Sequence, residues 1–211
     1  MKLFRGAPVL LAAGATGLLL VLPAAARQVH EAMAAGAQQA AVQAEASTAP
    51  SSYWLSDLDW VSATGSWGPV ERDMSNGENG AGDGSPITLD GKVYQKGLGL
   101  VPSSKIGYDL DGRCSRFRAV VGVDDEVDQR GNGGSVVFQV VADGKKVFDS
   151  GVRYGVQWSP TVLSTTTGSL EVDLDVTGVE TLELVTTPWL DGFSNDHADW
   201  ADARVGCGER P

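Results

Sequence analysis

An alternation of apolar and polar side chains with a period of two runs through residues 53–208 and restricts the fold more than any other property of the chain. It is clearest at 170–174, Leu-Glu-Val-Asp-Leu, which is followed by a Thr177-Gly178 turn and a second alternating run. Successive side chains of a strand point to opposite faces, so such a run predicts a strand with one buried face. Short strands joined by glycine-rich turns are typical of an antiparallel sandwich or barrel.

Asp-Gly pairs divide this region into hairpins, because the pair favours the tight turn between antiparallel strands. The predicted strands are 87–89, 92–94, 105–110, 116–123, 135–142, 145–149, 170–174, 181–185 and 199–206. No segment among them has the period of a long helix. We therefore predict an all-β domain over residues 53–208, built as an antiparallel β-sandwich and long enough to bury a core.

The first 52 residues differ in composition from this domain. Lys2 and Arg5 precede an apolar run at 7–22, and small residues follow up to Ala26, which is the order of a secretory signal. Because a spanning helix needs about 20 apolar residues, residues 1–26 are expected to be a cleaved signal peptide or an uncleaved membrane anchor. Residues 27–52, rich in Ala and Gln and ending in Ser and Pro, predict a stalk or linker. The domain is thus expected outside the cytoplasm, secreted or tethered by its N-terminal segment.

The charge of the chain argues against two classes of partner. The formal net charge is -11, whereas phosphate recognition in nucleic acids needs a basic surface. The same charge is repelled by anionic lipid head groups, so the folded domain is not expected to bind a membrane surface.

Cysteine and histidine are too few for a four-ligand zinc site of the usual kind. The chain has two of each, Cys114, Cys207, His30 and His197. Both cysteines lie near the ends of predicted strands, and in an oxidising compartment they are compatible with a single disulfide. Such a bridge would close a loop of roughly 90 residues and stabilise the fold by on the order of 4 kcal/mol in the chain-entropy model.

Three adjacent carboxylates, Asp124, Asp125 and Glu126, follow a predicted buried strand. Adjacent carboxylates repel one another unless a cation or hydrogen-bond donors lie between them. Oxygen ligands of this kind suit calcium, which makes these residues a candidate metal site. The alternative is a solvated loop edge.

A second polar stretch combines Trp67 with Glu71, Arg72 and Asp73. Arginine and carboxylates offer fixed donors and acceptors to neighbouring sugar hydroxyls, and a tryptophan offers an apolar platform for a sugar face. The alternatives are a surface salt-bridge cluster of little energetic weight and, for the tryptophan, a place in the core, which is the commoner position in β domains.

The third polar stretch, residues 196–203, reads Asp-His-Ala-Asp-Trp-Ala-Asp-Ala. It predicts a strand with polar groups on both faces, in which Trp200, flanked by alanine, belongs to the core. His197 would need a nucleophile or a substrate proton within reach to act as a base, and no serine-hydrolase motif is present, so a hydrogen-bonding or orienting role is favoured. A glycosidase pair of carboxylates is allowed by composition.

Trp158 and Trp189 fall in predicted loops beside proline residues. Aromatic side chains on loops are well placed to contact a ligand, so both are candidate platforms for a sugar. Either could instead fill a gap at the end of the sandwich.

The order of several short motifs resembles the NPCBM domain, a carbohydrate-binding module, over nearly all of residues 53–205. The motifs are Tyr53–Leu58, Trp67–Asp73, Lys96–Gly99, Val121–Glu126, Val136–Val140, Ala142–Lys145, Asp149–Gly151 and Asp196–Ala203. The resemblance implies a galactose-binding-like jelly roll, binding of galactose-type terminal sugars in some members, and a structural calcium in related sandwiches. Val101 stands where family members commonly carry a histidine after the Gly-Leu-Gly turn, and valine cannot hydrogen-bond a hydroxyl.

Three functions are carried forward. The first is a non-catalytic module that binds a terminal galactose-type sugar, as part of a glycan or polysaccharide, in a shallow site built from loops. The second is a cell-surface protein-interaction domain that has lost sugar binding, which Val101 favours. The third is a small glycosidase that uses carboxylates such as Glu71 or Asp125.

Overall fold

The computed structural model describes residues 24–48, 50–130, 133–155, 167–190, 192–193 and 195–211. The chain forms two compact units, Met1–Ser47 and Thr48–Pro211. The first contains most of helix α1, Ala24–Thr48, whose side chains are exposed over residues 28–40. Among the residues that the structure describes, no helix combines the length and apolar character that a membrane-spanning segment needs. Most of the predicted signal peptide or anchor, and residue 49 of the predicted stalk, lie outside the described residues.

The second unit is a β-sandwich, as the alternation predicted. Its strands are β1 Ser51–Trp54, β2 Ser62–Thr64, β3 Glu71–Arg72, β4 Thr88–Leu89, β5 Lys92–Val93, β6 Gly97–Leu100, β7 Ser104–Asp109, β8 Cys114–Val123, β9 Ser135–Ala142, β10 Lys145–Tyr154, β11 Leu170–Asp175, β12 Thr181–Pro188 and β13 Ala198–Cys207. Sheet 1 has the order β11-β8-β13-β6-β3, with β1 also paired to β13, and sheet 2 has the order β10-β9-β12-β7-β2. Strands β4 and β5 form a separate hairpin, and every pairing is antiparallel.

The core lies between the two sheets and is centred on Trp200 of β13. Its ring is fully buried and lies 6.2 Å from that of Phe117 in sheet 1 and 5.4 Å from that of Phe138 in sheet 2. The core position predicted for Trp200 is therefore confirmed. Trp67, for which the core was the commoner expectation, is instead exposed.

The outer face of sheet 1 is also partly covered, and this could not be expected from the alternation. Ile87, Leu89 and Tyr94, from the β4–β5 hairpin and its flanks, pack on Ala201 in a second small hydrophobic cluster. Strand β13 is consequently buried on both faces along residues 198–201.

The two ends of the sandwich differ. The connections that contain residues 65–70, 101–103, 124–130 and 195–197 gather at one end, here called the loop end, because Ala198 lies opposite both Leu100 and Val123 in the register. The opposite end, here called the closed end, holds Ser51, which pairs with Cys207. Cys114 and Cys207 form a disulfide there, as predicted.

Candidate functional site

The three polar stretches singled out in the sequence meet on neighbouring strands of sheet 1. A single row across the outer face of this sheet consists of Glu71 in β3, Gly99 in β6, Asp199 in β13 and Gly122 in β8. Residues that face one another in a register have side chains on the same side of the sheet. The row therefore brings the stretches 67–73, 121–126 and 196–203 together near the loop end.

A glycine in the middle of this row lets a covering segment approach the sheet. A Cβ atom on Gly99 would lie 2.4 Å from the backbone oxygen of Met74, a contact that no side chain can make. Ser75 and Asn76, which follow Met74 in the covering segment, are buried. The acidic groups on the row are therefore enclosed by the 74–76 segment and are not open to solvent.

His197 is the hydrogen-bonded centre of this enclosed region. Its Nδ1 lies 2.6 Å from Oε1 of Glu126 and its Nε2 lies 3.0 Å from Oε1 of Glu78, while the ring is only 3% exposed. Burial alone would lower the pKa of His197, but the hydrogen bonds and charges of the two glutamates outweigh it and raise that pKa above its ordinary value. An imidazolium that donates to both carboxylates fits the orienting role expected for this residue.

Glu126 and Asp199, two acids of this enclosed region, have opposite pKa shifts. Burial tends to raise the pKa of Glu126, yet the hydrogen bond from His197 and its charge lower it to about 2. Burial raises the pKa of Asp199 well above its usual range, and the neighbouring Asp124 raises it further. In the described part of the chain neither carboxylate oxygen of Asp199 has a hydrogen-bond partner, which fits a protonated side chain.

Replacing Glu126 with glutamine is expected to flatten the acid side of the stability curve. Because the folded-state pKa of Glu126 lies below the usual 4.5, the wild-type protein loses stability as the pH falls from 4.5 toward 2. This loss is on the order of 1–3 kcal/mol after solvent screening. The pKa of His197 is raised above 6.5, so its contribution is lost as the pH rises above that value. Urea unfolding from pH 2.5 to 8.5 measures both limbs.

In the Glu126→Gln protein both limbs should be shallower, because His197 loses one of its two carboxylates. Glu171→Gln, a change of the same kind at an exposed position on β11, serves as the matched control and should reproduce the wild-type curve. Identical pH dependence in the wild type and Glu126→Gln would contradict the assignment of this ion pair.

Asp124 and Asp125, two of the predicted calcium ligands, accept hydrogen bonds from different backbone segments. Asp124 accepts hydrogen bonds from the backbone N–H groups of Thr88 and Glu126, each at 2.8 Å, and Asp125 accepts from those of Asp90 and Gly91 at 3.0 and 2.7 Å. Within the described residues no group of three or more His, Cys, Asp or Glu side chains is arranged to hold a metal ion. As folded, the oxygens of this donor set accept hydrogen bonds from the backbone and from His197. Calcium at this position stays a prediction.

The stretch around Arg72 is used within the protein. The Arg72 guanidinium donates to the backbone oxygens of Ser56 and Leu58 and lies 3.7 Å from the ring centre of Trp60. This leaves the guanidinium committed to holding the chain that follows β1, whereas the sequence suggested contact with a sugar.

The two acids beside Arg72 also have partners. Both carboxylate oxygens of Glu71 accept from the backbone N–H of Gly82, at 3.0 and 2.9 Å, and the side chain is buried. Asp73 pairs with Lys96 at 2.6 Å. Burial would raise the pKa of Asp73, and the hydrogen bond from Lys96 lowers it overall.

The tryptophans predicted as platforms lie at the loop end where the structure describes them. Trp67 is 64% exposed, and its neighbour Ser66 is anchored to Ser104 at 3.3 Å. Trp189 follows β12 at the same end and is 46% exposed. Trp158 lies outside the described residues. Exposed tryptophans on loops at one end of the sandwich are a suitable surface for stacking on a ligand.

Glu78 is the residue of this region that the sequence did not indicate. It lies in the Gly- and Asn-rich run 75–84, where no periodicity marks a buried or functional side chain. Its carboxylate is 40% exposed while it contacts the buried His197. Glu78 thus joins the enclosed cluster to the surface at the loop end.

Comparison with known proteins identifies the family. The model of the NPCBM/NEW2 domain matches residues 51–206. The chain belongs to the NPCBM/NEW2 family. A relative from Renibacterium salmoninarum, named as a candidate endo-alpha-N-acetylgalactosaminidase, is 36% identical over 157 residues, which are 73% of this chain and 9% of the relative. The chain thus spans less than a tenth of that protein.

Solved carbohydrate-binding modules of family CBM51 share the fold. The CBM51 of Clostridium perfringens GH95, solved in complex with methyl-galactose, is 34% identical with a TM-score of 0.61, and the match covers 74% of this chain and 99% of that one. The CBM51-2 and INT domains of C. perfringens ZmpB, solved with GlcNAc, give 30% identity, a TM-score of 0.60 and coverage of 74% and 32%. The tandem CBM51 modules of Sp3GH98 from Streptococcus pneumoniae SP3-BS71 are 28% identical with a TM-score of 0.58, and the match covers 74% of this chain and 47% of that one.

Proposed function

We propose that this NPCBM/NEW2 domain is a non-catalytic carbohydrate-binding module that takes a terminal galactose-type sugar at its loop end. The observation that carries the proposal is the match to a CBM51 module solved with methyl-galactose, which extends over 99% of that module. The loop end supplies the exposed aromatic surface that binding a sugar face requires.

The described side chains at the loop end make two kinds of contact with the sugar, apolar stacking and hydrogen bonding. The Trp67 and Trp189 rings are exposed and offer apolar faces to the C–H groups of a pyranose. Glu78 offers carboxylate oxygens to hydroxyl groups and is held in place by His197. His197 itself has both ring nitrogens engaged, so it positions Glu78 and does not contact the sugar.

The first and last strands of the sandwich meet away from the tryptophan surface. Strand β1 begins at Ser51, paired with Cys207 at the closed end, which is opposite to the loop end. The disulfide fits an oxidising compartment. We infer an extracytoplasmic location, with the N-terminal segment as signal peptide or anchor.

A hydrolytic function is disfavoured by the use of the candidate carboxylates. Glu71 and Asp125 each accept backbone N–H groups with both oxygens. A glycosidase needs one carboxylic acid free to protonate the leaving group and a second free to attack or to activate water. We therefore expect no turnover of aryl glycosides.

Replacing Trp67 or Trp189 with alanine is expected to weaken methyl-galactose binding about tenfold for each ring that stacks on the sugar. An aromatic contact of this kind is worth roughly 1 kcal/mol or more, and about 1.4 kcal/mol corresponds to a factor of ten. Titration calorimetry with methyl-galactose, methyl N-acetylgalactosaminide, methyl N-acetylglucosaminide and methyl-glucose measures both the affinity and the preference.

Val147→Ala, which shortens an exposed apolar side chain on β10, is the matched control and should bind as the wild type does. Absence of binding to every hexose would refute the proposal and favour the protein-interaction domain, for which Val101 in the usual histidine position argues. Equal affinity in the wild type and both tryptophan variants would place the sugar elsewhere.

A further inference from the structure

A hollow of about 340 Å³ lies on the outer face of sheet 1, away from the loop end. The charged side chains that line it are Lys92, Arg118, Glu171, Asp173, Asp202 and Arg204. Its floor is formed by β8, β11 and β13, and Lys92 of the β5 hairpin stands at its rim. It shares no residue with the tryptophan surface described above, and its volume is in the range of small-ligand sites.

Two arginines occupy opposite positions in the register of this floor. Arg118 of β8 is directly opposite Arg204 of β13, and the same row continues to Asp173 on one side and Trp54 on the other. Like charges directly opposite on neighbouring strands are destabilising. The row therefore keeps an unfavourable pairing in the free protein, and an anion between the two guanidinium groups would relieve it.

The positive charges of the hollow are only partly balanced by the protein. Arg118 pairs with Asp173 at 3.3 Å, and Arg116 shares the same carboxylate oxygen. Arg204 is held by the ring of Trp54 at 5.2 Å and by the backbone oxygen of Asp202 at 3.5 Å. In the described part of the chain no carboxylate lies within 4 Å of the charged nitrogens of Arg204 or Lys92. Lys92 lies 4.1 Å from the ring centre of Tyr94, so Arg204 and Lys92 each contact an aromatic ring and keep a positive charge that can meet a ligand.

The acids in the same hollow narrow the class of that ligand. Glu171, Asp173 and Asp202 would repel a phosphate or sulfate, which carries its charge on every exposed oxygen. The same carboxylates accept hydrogen bonds from hydroxyl groups. A neutral sugar would use these acceptors and leave Arg204 and Lys92 without a counter-charge, whereas a sugar with one carboxylate would use both sets.

We propose that this hollow is a second binding site, for a carboxylate-bearing sugar such as a uronic acid or a sialic acid. The carboxylate lies between Arg118, Arg204 and Lys92, and the hydroxyl groups face Glu171 and Asp202. The site is separate from the loop end, so it does not depend on the function proposed there.

Titration calorimetry of the whole 211-residue chain tests this site with methyl glucuronide and N-acetylneuraminic acid in low salt. Methyl glucoside is the uncharged counterpart, and inorganic phosphate tests for a general anion site. At least one acidic sugar should bind at least tenfold more tightly than methyl glucoside and phosphate, with an affinity that falls as salt is added. Which acidic sugar binds decides between the two sources.

The variant Arg204→Gln should lower this affinity at least tenfold. If Arg204→Gln alters folding, Lys92→Gln at the exposed rim is a second variant in which the affinity should fall. Lys145→Gln, an exposed lysine on β10 of the other sheet, should bind as the wild type does. The proposal is overturned if both acidic sugars fail to bind, if phosphate binds as tightly as they do, or if both variants keep the wild-type affinity. Loss of acidic-sugar binding in Trp67→Ala alone would move the ligand to the loop end and also overturn it.

Discussion

Replacing Trp200 with alanine is expected to lower the free energy of unfolding by about 3–5 kcal/mol, the usual cost of removing a buried aromatic side chain. Trp200 is fully buried, and its ring meets Phe117 from its own sheet and Phe138 from the opposite sheet. No other fully buried side chain in the described core is larger. Its removal therefore leaves a cavity at the contact between the sheets that neighbouring strands cannot fill.

Guanidinium unfolding followed by far-UV circular dichroism measures this loss. Trp67→Ala makes the same chemical change at a ring that is mostly exposed, so it should stay within about 0.5 kcal/mol of the wild type. Trp200→Phe should fall between the two. It loses part of the packing but also removes an indole N–H that has no hydrogen-bond partner among the described residues. A Trp200→Ala protein as stable as Trp67→Ala would contradict the central position assigned to this ring.

The contrast between these two tryptophans shows what a local pattern can and cannot predict. The alanines at 198, 201 and 203 around Trp200 indicate a tightly packed strand, and the core position follows from its own neighbourhood. Nothing next to Trp67 marks it as exposed. Its position depends on Ser66, which contacts Ser104 nearly forty residues later, and a local pattern carries no information about such a contact.

The strands of the sandwich could be predicted because each alternates within itself. All nine predicted segments coincide with strands of the structure. The strands without a prediction are β1, β2, β3 and β6, and they are short, polar or rich in glycine. Strand β6 reads Gly-Leu-Gly-Leu because a larger residue at Gly99 would collide with the segment that covers it. The glycine at position 99 therefore depends on contact with the distant 74–76 segment, which the local sequence pattern does not reveal.

The candidate site was only partly predictable for the same physical reason. The sequence marked three polar stretches, and the register of sheet 1 brings them together. It could not indicate that Arg72 would meet the backbone of residues 56–58, nor that His197 would use both of its nitrogens within the protein. Residue types suited to binding a sugar are equally suited to satisfying buried backbone groups, and only the folded chain distinguishes the two uses.

Reduction of the Cys114–Cys207 disulfide is expected to lower the free energy of unfolding by about 4 kcal/mol. The cysteines are 93 residues apart and lie opposite each other in the register of β8 and β13. The chain-entropy model gives roughly 4–5 kcal/mol for a loop of this length, because the bridge restricts the unfolded chain far more than two strands that are already hydrogen-bonded. The native sandwich should therefore remain folded after reduction and lose stability.

Urea unfolding of the oxidised and reduced wild type isolates the bridge itself, because both forms keep two buried sulfur atoms at the closed end. The reduced form should also show a larger dependence on denaturant concentration, since its unfolded chain exposes more surface. The double variant Cys114→Ala/Cys207→Ala should be at least as unstable as the reduced wild type and indifferent to reductant. Equal free energies of unfolding for the oxidised and reduced wild type would mean that the unfolded chain is not restrained by the bridge, and the loop-closure account of this fold would then be wrong.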